Sequence, residues 1–71
     1  MNDTIVIDTT KGGFYLGSTN RNDGNVGFTI DKNDVNGNQV RFIEVKMTPS
    51  NAKEIAWYLT ELANSILDKS E

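Results

Sequence analysis

Two residue types that carry much of enzyme and metal chemistry are missing from this chain, which contains no cysteine and no histidine. Catalysis by a thiol nucleophile, or by a serine with a histidine base, therefore has no residues to use, and neither has a zinc site built from these ligands. Carboxylates remain available for acid–base chemistry, namely Asp3, Asp8, Asp31, Asp34 and Glu44. Most of them fall at predicted strand ends or in turns, where water surrounds them. We therefore predict no enzymatic activity, no cofactor and no bound metal.

The segment from Asp31 to Gly37 has the oxygen-rich composition of a calcium-binding loop. An EF-hand loop needs oxygen ligands at its first, third and fifth positions, glycine at the sixth and glutamate at the twelfth. With Gly37 at the sixth position, Lys32 takes the first and Ile43 the twelfth, so two ligand positions hold residues that cannot bind the ion. We interpret the segment as an Asn/Asp/Gly turn.

The last third of the chain predicts one amphipathic helix over about 49–68. Thr48 is suited to cap its N-terminus, and Pro49 fits the first helical position. At about 100° per residue, one stripe collects the apolar side chains Ala52, Ile55, Leu59, Leu62, Ala63 and Ile66. Trp57 falls nearly opposite this stripe, and Tyr58 flanks Trp57. Because a large ring on a polar helix face is costly to leave in water, we predict that Trp57 and Tyr58 form an interface with another chain.

Four short strands are predicted before this helix. β-Branched residues and apolar–polar alternation place them at about 4–8, 14–17, 26–31 and 39–47. Turn residues separate the strands, and Asn36-Gly37 is a strong hairpin dipeptide. The sequence thus predicts one domain (1–71) of the α+β class: a four-stranded antiparallel β-meander followed by one C-terminal amphipathic helix packed on one sheet face.

The fourth strand leaves the two faces of the sheet undecided. Ile43, Val45 and Met47 alternate onto one face, whereas Phe42 falls on the other. A bulge would change this phase part-way along the strand. Without a bulge, Tyr15 and Phe42 share the face that the helix leaves uncovered, and we predict these two rings as interface residues on the sheet side. The alternative is that they are isolated surface aromatics, which need no partner.

Size and composition favour association. A chain of 71 residues builds only a thin core, and small folds are usually reinforced by disulfides, a metal or association. The chain has no cysteine for a disulfide and no cysteine or histidine for a zinc site. We therefore predict a homodimer or higher oligomer that also binds a protein partner. The composition, rich in Asn, Asp and Thr, resembles that of small accessory or inhibitory proteins of AT-rich bacteria and their phages. No apolar stretch or N-terminal signal directs the chain to a membrane, so we expect it in the cytoplasm.

An alternative function is single-stranded nucleic-acid binding. Four antiparallel strands followed by one helix is the element order of the PC4-like single-stranded-DNA-binding family, and Met47-Thr48-Pro49-Ser50-Asn51 looks like its strand-to-helix junction. The resemblance covers most of the chain and implies a stacking platform with phosphate partners on the open sheet face. The residues that would supply it are Tyr15, Arg21, Lys32, Phe42 and Lys46. The net charge of −3 and the dispersed basic residues favour the protein-binding interpretation instead.

Overall fold

The computed structural model describes residues 3–69, which form three strands and one helix. The strands are β1 (Phe14–Asn20), β2 (Val26–Asn33) and β3 (Gln39–Met47), and the helix is α1 (Pro49–Lys69). β2 is the central strand of an antiparallel sheet in the order β1-β2-β3. The predicted α+β class is confirmed, and the meander has three strands in the described residues instead of four.

The strand predicted at 4–8 is wrong. This segment pairs with no strand of the sheet, and the side chains of Ile5 and Val6 are 87% and 78% exposed. β-Branched residues favour a strand only where neighbouring side chains pack against them, and the ladder of β1 runs along β2 alone. Gly12 and Gly13, at φ angles of 83° and 82°, turn the chain just before β1. The segment therefore reaches the sheet without joining it.

The loop between β2 and β3 is held by one carboxylate. Asp34 Oδ1 accepts hydrogen bonds from the backbone N–H groups of Asn36 and Asn38, at 2.8 and 2.9 Å. Gly37, at a φ of 82°, donates its N–H to the Asp34 carbonyl oxygen at 3.0 Å. The predicted Asn36-Gly37 turn is thus part of a longer loop, residues 34–38, whose acidic side chain binds the loop's own backbone.

β3 carries one extra residue opposite β2. Ile43 pairs with Ile30 and Arg41 pairs with Asp31, so Phe42 between them has no partner in β2. This is the β-bulge that the sequence left open as a possibility. Adjacent residues of a regular strand point to opposite faces, and the bulge lets Phe42 and Ile43 share one.

The bulge adds Val40 and Phe42 to the side that already holds the other large aliphatic side chains and the other two phenylalanines of the sheet. This apolar sheet face consists of Phe14, Leu16, Val26, Phe28, Ile30, Val40, Phe42, Ile43, Val45 and Met47. The ring centroids of Phe14 and Phe42 are 5.9 Å apart, which places Phe42 on this face. Tyr15 follows Phe14 in β1 and points to the opposite side. With the bulge present, Tyr15 and Phe42 therefore lie on opposite faces, and their role as interface residues stays a prediction.

α1 is longer and looser than the sequence predicted. It extends to Lys69, and within residues 3–69 it makes few contacts with the strands. Of the predicted packing on one sheet face, the structure shows a groove between the sheet and the first half of the helix, through Ala52, Ile55, Ala56 and Leu59, and no described residue of the helix is buried. No hydrophobic residue in the described part of the chain is buried. The radius of gyration is 14.7 Å, against about 11 Å for a compact domain of this length.

Candidate interaction surfaces

An apolar groove separates the first half of α1 from the apolar sheet face. It has a volume of about 290 Å³. Its walls are formed by Ser18, Val26, Phe28 and Met47 from the sheet, and by Ala52, Ile55, Ala56 and Leu59 from the helix. Ser18 is the single polar residue among them, so the groove suits aliphatic or aromatic side chains and offers little to a charged ligand.

The helix carries an apolar stripe that extends beyond this groove. We call it the helical stripe; it consists of Ala52, Ile55, Ala56, Leu59, Leu62, Ala63 and Ile66. The side chains of Leu62 and Ile66 are 60% and 57% exposed, and neither lines the groove. The sequence predicted every member except Ala56, which lies on the margin of the stripe. Nothing local in the sequence marks Phe28 and Val26 as groove walls, because the groove depends on the position of the helix.

A second hydrophobic surface lies on the other side of α1. Trp57 and Tyr58 are 59% and 55% exposed, and their rings meet edge to face with centroids 5.1 Å apart. The two predicted anchor rings of the helix are thus brought together at the surface. Their role as an interface stays a prediction.

The polar face of the sheet is occupied by ion pairs between its own strands and loops. Arg41 Nε lies 2.7 Å from Asp31 Oδ1, and Arg41 Nη1 lies 2.8 Å from Glu44 Oε1. Arg21 Nη1 pairs with the other oxygen of Glu44. The hydrogen bond from Arg41 to Asp31 is the main cause that raises the pKa of Arg41 above its ordinary value, with Glu44 adding to it. Two of the predicted acid–base candidates, Asp31 and Glu44, therefore serve as structural partners of arginine.

Asp23 and Lys46 extend this charge pairing to the loop after β1. Lys46 Nζ lies 3.4 Å from Asp23 Oδ2. Burial acts to raise the pKa of Asp23 and is its largest single influence, but hydrogen bonds from the Asn25 backbone, Lys46 and the Asn25 side chain together lower that pKa below its ordinary value. The ammonium group of Lys46 thus has a carboxylate beside it.

The remaining carboxylate candidates are dispersed. Asp8 accepts hydrogen bonds from the Thr10 hydroxyl and the Thr10 backbone N–H, at 2.6 and 3.0 Å, and these two contacts, in that order, lower the pKa of Asp8. Within residues 3–69 the acidic side chains nowhere gather into a group of three that would hold a metal ion.

In the same part of the chain, no helix has both the length and the apolar character needed to cross a bilayer.

The residues predicted to contact nucleic acid are split between the two faces of the sheet. Tyr15 lies on the polar face, where its hydroxyl accepts a hydrogen bond from the Asn33 side chain at 3.3 Å. Phe42 lies on the apolar sheet face, and Lys32 Nζ sits 4.4 Å from the centre of its ring. Arg21 and Lys46 are already paired with carboxylates. These five residues therefore do not form one continuous stacking platform.

No known protein family, no curated protein and no solved structure matches this chain. The four-strand order that carried the resemblance to the PC4-like family is not present in residues 3–69. Function is therefore inferred from the exposed surfaces of the chain itself.

Proposed function

We propose that this chain is a small non-enzymatic binding protein that works as a homo-oligomer and acts on another macromolecule. The observation that carries the proposal is the exposure of two separate hydrophobic surfaces on a chain whose described hydrophobic residues are all unburied. One surface combines the groove, the helical stripe and the apolar sheet face. The other is the Trp57–Tyr58 pair.

The first surface has the composition of a protein core. Its residues are aliphatic and phenylalanine side chains, and fully burying each large one contributes about 1.5–3 kcal/mol. A monomer forgoes most of this free energy, because none of its described hydrophobic residues is buried. Patches of this extent on a small chain mark a contact with another protein. A further copy of the chain supplies such a contact wherever the chain is made.

The second surface suits a different partner. Trp57 and Tyr58 are the aromatic types most enriched at the centres of protein interfaces. Lys53 and Glu61 lie one turn before and one turn after Trp57, so charged side chains border the ring on its own helix face. An aromatic centre with a polar border is the usual layout of a protein-binding site. The composition of the chain supports an accessory or inhibitory protein of a bacterium or phage.

The proposal is tested by affinity capture from a lysate of the cells that produce the protein, with wild type, Trp57→Ala and Val35→Ala compared side by side. Val35 is a fully exposed loop residue outside both surfaces and controls for general loss of apolar area. We expect wild type and Val35→Ala to retain the same macromolecule, and Trp57→Ala to lose at least about tenfold of it. Equal capture by Trp57→Ala, or none by wild type, contradicts the proposal.

Single-stranded nucleic-acid binding is the second candidate. One observation favours it: Lys32 sits over the Phe42 ring, which in turn contacts Phe14, and single-strand sites combine rings with cations in this way. Anisotropy of a labelled oligothymidylate at low salt measures it where phosphate contacts are strongest. If the chain binds the oligonucleotide and Lys32→Gln weakens that binding, the result would favour this function over the first. An anisotropy that does not change when the protein is added would exclude nucleic-acid binding.

A further inference from the structure

We propose that two copies of this chain pair through antiparallel α1 helices about a two-fold axis at Leu59, and that the second half of each helix fills the groove of the other copy. The inference deepens the homo-oligomer proposed above and rests on it. Three features of the chain support it: its surplus surface, the spacing of its helical stripe and the walls of its groove.

The accessible surface of the chain is too large for a stable monomer. It measures 6057 Å², whereas a folded monomer of 7.9 kDa exposes about 4,400 Å². The surplus of about 1,650 Å² exceeds the roughly 800 Å² per partner of a standard interface and is typical of permanent dimers. Part of it belongs to the exposed residues before β1 and to the Trp57–Tyr58 pair, and a further apolar part lies on the helical stripe and the apolar sheet face. A chain that exposes this much apolar surface needs a binding partner at the same molar concentration, and a second copy of the chain meets this requirement.

The helical stripe is complementary to its own antiparallel image. Its members lie three, four and seven positions on either side of Leu59, and each mirror pair joins an alanine to a large aliphatic residue: Ala52 with Ile66, Ile55 with Ala63, and Ala56 with Leu62. A two-fold axis at Leu59 turns each mirror pair into a contact between the two helices. Away from the axis, where Leu59 meets its own copy, every large side chain then meets a small one, which lets the helices approach closely. Parallel pairing would set each residue against itself, alanine on alanine and isoleucine on isoleucine.

The same axis directs the partner's helix into the groove. The helical wall of the groove consists of the members of the stripe from Ala52 to Leu59. The residues that mirror this wall are those from Leu59 to Ile66, so they come from the second half of the partner's helix. There they also reach Phe28 and Met47 on the opposite wall. One repeated contact thus covers the groove of each copy and the exposed end of each stripe.

The helix dipoles agree with this direction, and the charges of Asp68 and Lys69, which mirror Ser50 and Pro49, offset each other. The first turn of α1 contains no acidic residue, so its own side chains do not balance the positive end of the helix dipole. In an antiparallel pair the negative end of the partner's helix lies beside it. A parallel pair would bring two positive ends together.

Disulfide trapping tests the pairing, because the wild-type chain has no cysteine and one substitution creates a unique thiol. A disulfide requires two Cα atoms within about 7 Å, which in this arrangement the position on the axis satisfies with its own copy. We expect Leu59→Cys to form a covalent dimer under mild oxidation. Asn64→Cys, on the opposite side of α1, is the matched control and should stay largely uncrosslinked.

Mixing two variants tests the direction of the helices. Ala56→Cys and Leu62→Cys chains should cross-link with each other and much less with themselves, since positions 56 and 62 are mirror partners. Cross-linking of Leu62→Cys with itself, and none in the mixture, would show parallel helices and overturn the inference.

Light scattering of the wild-type chain separates failure of this inference from failure of the proposed function. A mass of 7.9 kDa at every concentration would contradict both the homo-oligomer and the helix pairing. If the mass is twice this value, or a higher multiple of it, and Leu59→Cys does not cross-link, only the helix pairing is contradicted. The same mass with the expected cross-links supports both.

Discussion

Thr48 caps the N-terminus of α1 with its side chain. Its Oγ1 accepts a hydrogen bond from the Asn51 N–H at 3.1 Å, and its carbonyl oxygen accepts the first helical bond from Ala52 at 2.9 Å. Pro49 follows it at the position where a missing N–H costs nothing. The start of the helix was predictable because all of these signals lie within a few residues of one another.

Replacing Thr48 by alanine should lower the free energy of unfolding by about 1 kcal/mol, because one N–H at the helix start loses its acceptor. Urea unfolding followed by circular dichroism measures the change. Thr48→Ser keeps the hydroxyl oxygen and should stay within a few tenths of a kcal/mol of wild type. A Thr48→Ala protein as stable as Thr48→Ser would show that the hydrogen bond is not a stabilising cap.

The side of the sheet that Phe42 occupies was not predictable in the same way. Its face is set by the unequal pairing of β3 with β2, which depends on residues more than ten positions away. Periodicity in β3 did not decide which face Phe42 occupies; the register shift and the contacts of its ring with Phe14 and Lys32 do. The location of this candidate site residue therefore required the register, although its chemistry was evident from its type.

At the scale of elements, the polar sides of the three strands meet over Gly27. Gly27 is buried, and a Cβ atom there would lie 2.6 Å from Glu44 Oε2 and 2.8 Å from Thr19 Cγ2. Glu44 cannot move aside without loosening its bonds to Arg21 and Arg41. The absence of a side chain at Gly27 is thus what lets the carboxylate lie flat across the sheet.

Gly27→Ala should therefore lower the free energy of unfolding by about 1–3 kcal/mol, the usual cost of overpacking. Gly17→Ala is the contrasting variant, since its added Cβ would meet only Thr29 Oγ1, at 3.1 Å. We expect a smaller change there. Chemical unfolding of both variants at one protein concentration provides the comparison, and a Gly27→Ala protein no less stable than Gly17→Ala would contradict this account of the sheet.

The element that the sequence mispredicted, residues 4–8, shows the limit of propensity. Strand propensity describes how a side chain suits a neighbouring strand and does not supply that strand. The segments predicted correctly, β2, β3 and α1, each have a turn or cap at the boundary and a partner nearby in the chain. Residues 4–8 have β-branched side chains and a turn after them, at Gly12 and Gly13, but no strand pairs with them.

At the scale of the whole molecule, assembly should be part of folding. If the apolar surfaces are covered only between copies, the folded state is favoured by mass action, and its midpoint of thermal unfolding rises with protein concentration. Circular dichroism melts over a roughly hundredfold range of concentration test this. Trp57→Ala should keep the dependence, because Trp57 lies outside the paired surface.

Leu59→Glu provides the opposing case. It sets two carboxylates against each other on the two-fold axis, so we expect the helical signal to fall and the midpoint to drop at every concentration. A wild-type midpoint that does not change with concentration would indicate that one chain is stable alone. The sequence predicted association from size and composition, but the open helix and the groove were visible only once the position of α1 was known.

Because no hydrophobic residue is buried within residues 3–69, the proposed pairing would make the amount of folded protein depend on its own concentration. If the proposed pairing holds, a newly made chain would be stably folded only after it meets a second copy, and cellular proteases would degrade the chains that stay single. Above a threshold rate of synthesis, encounters outpace degradation and the surviving amount climbs steeply. A modest change in transcription would then produce a larger change in the amount of folded protein.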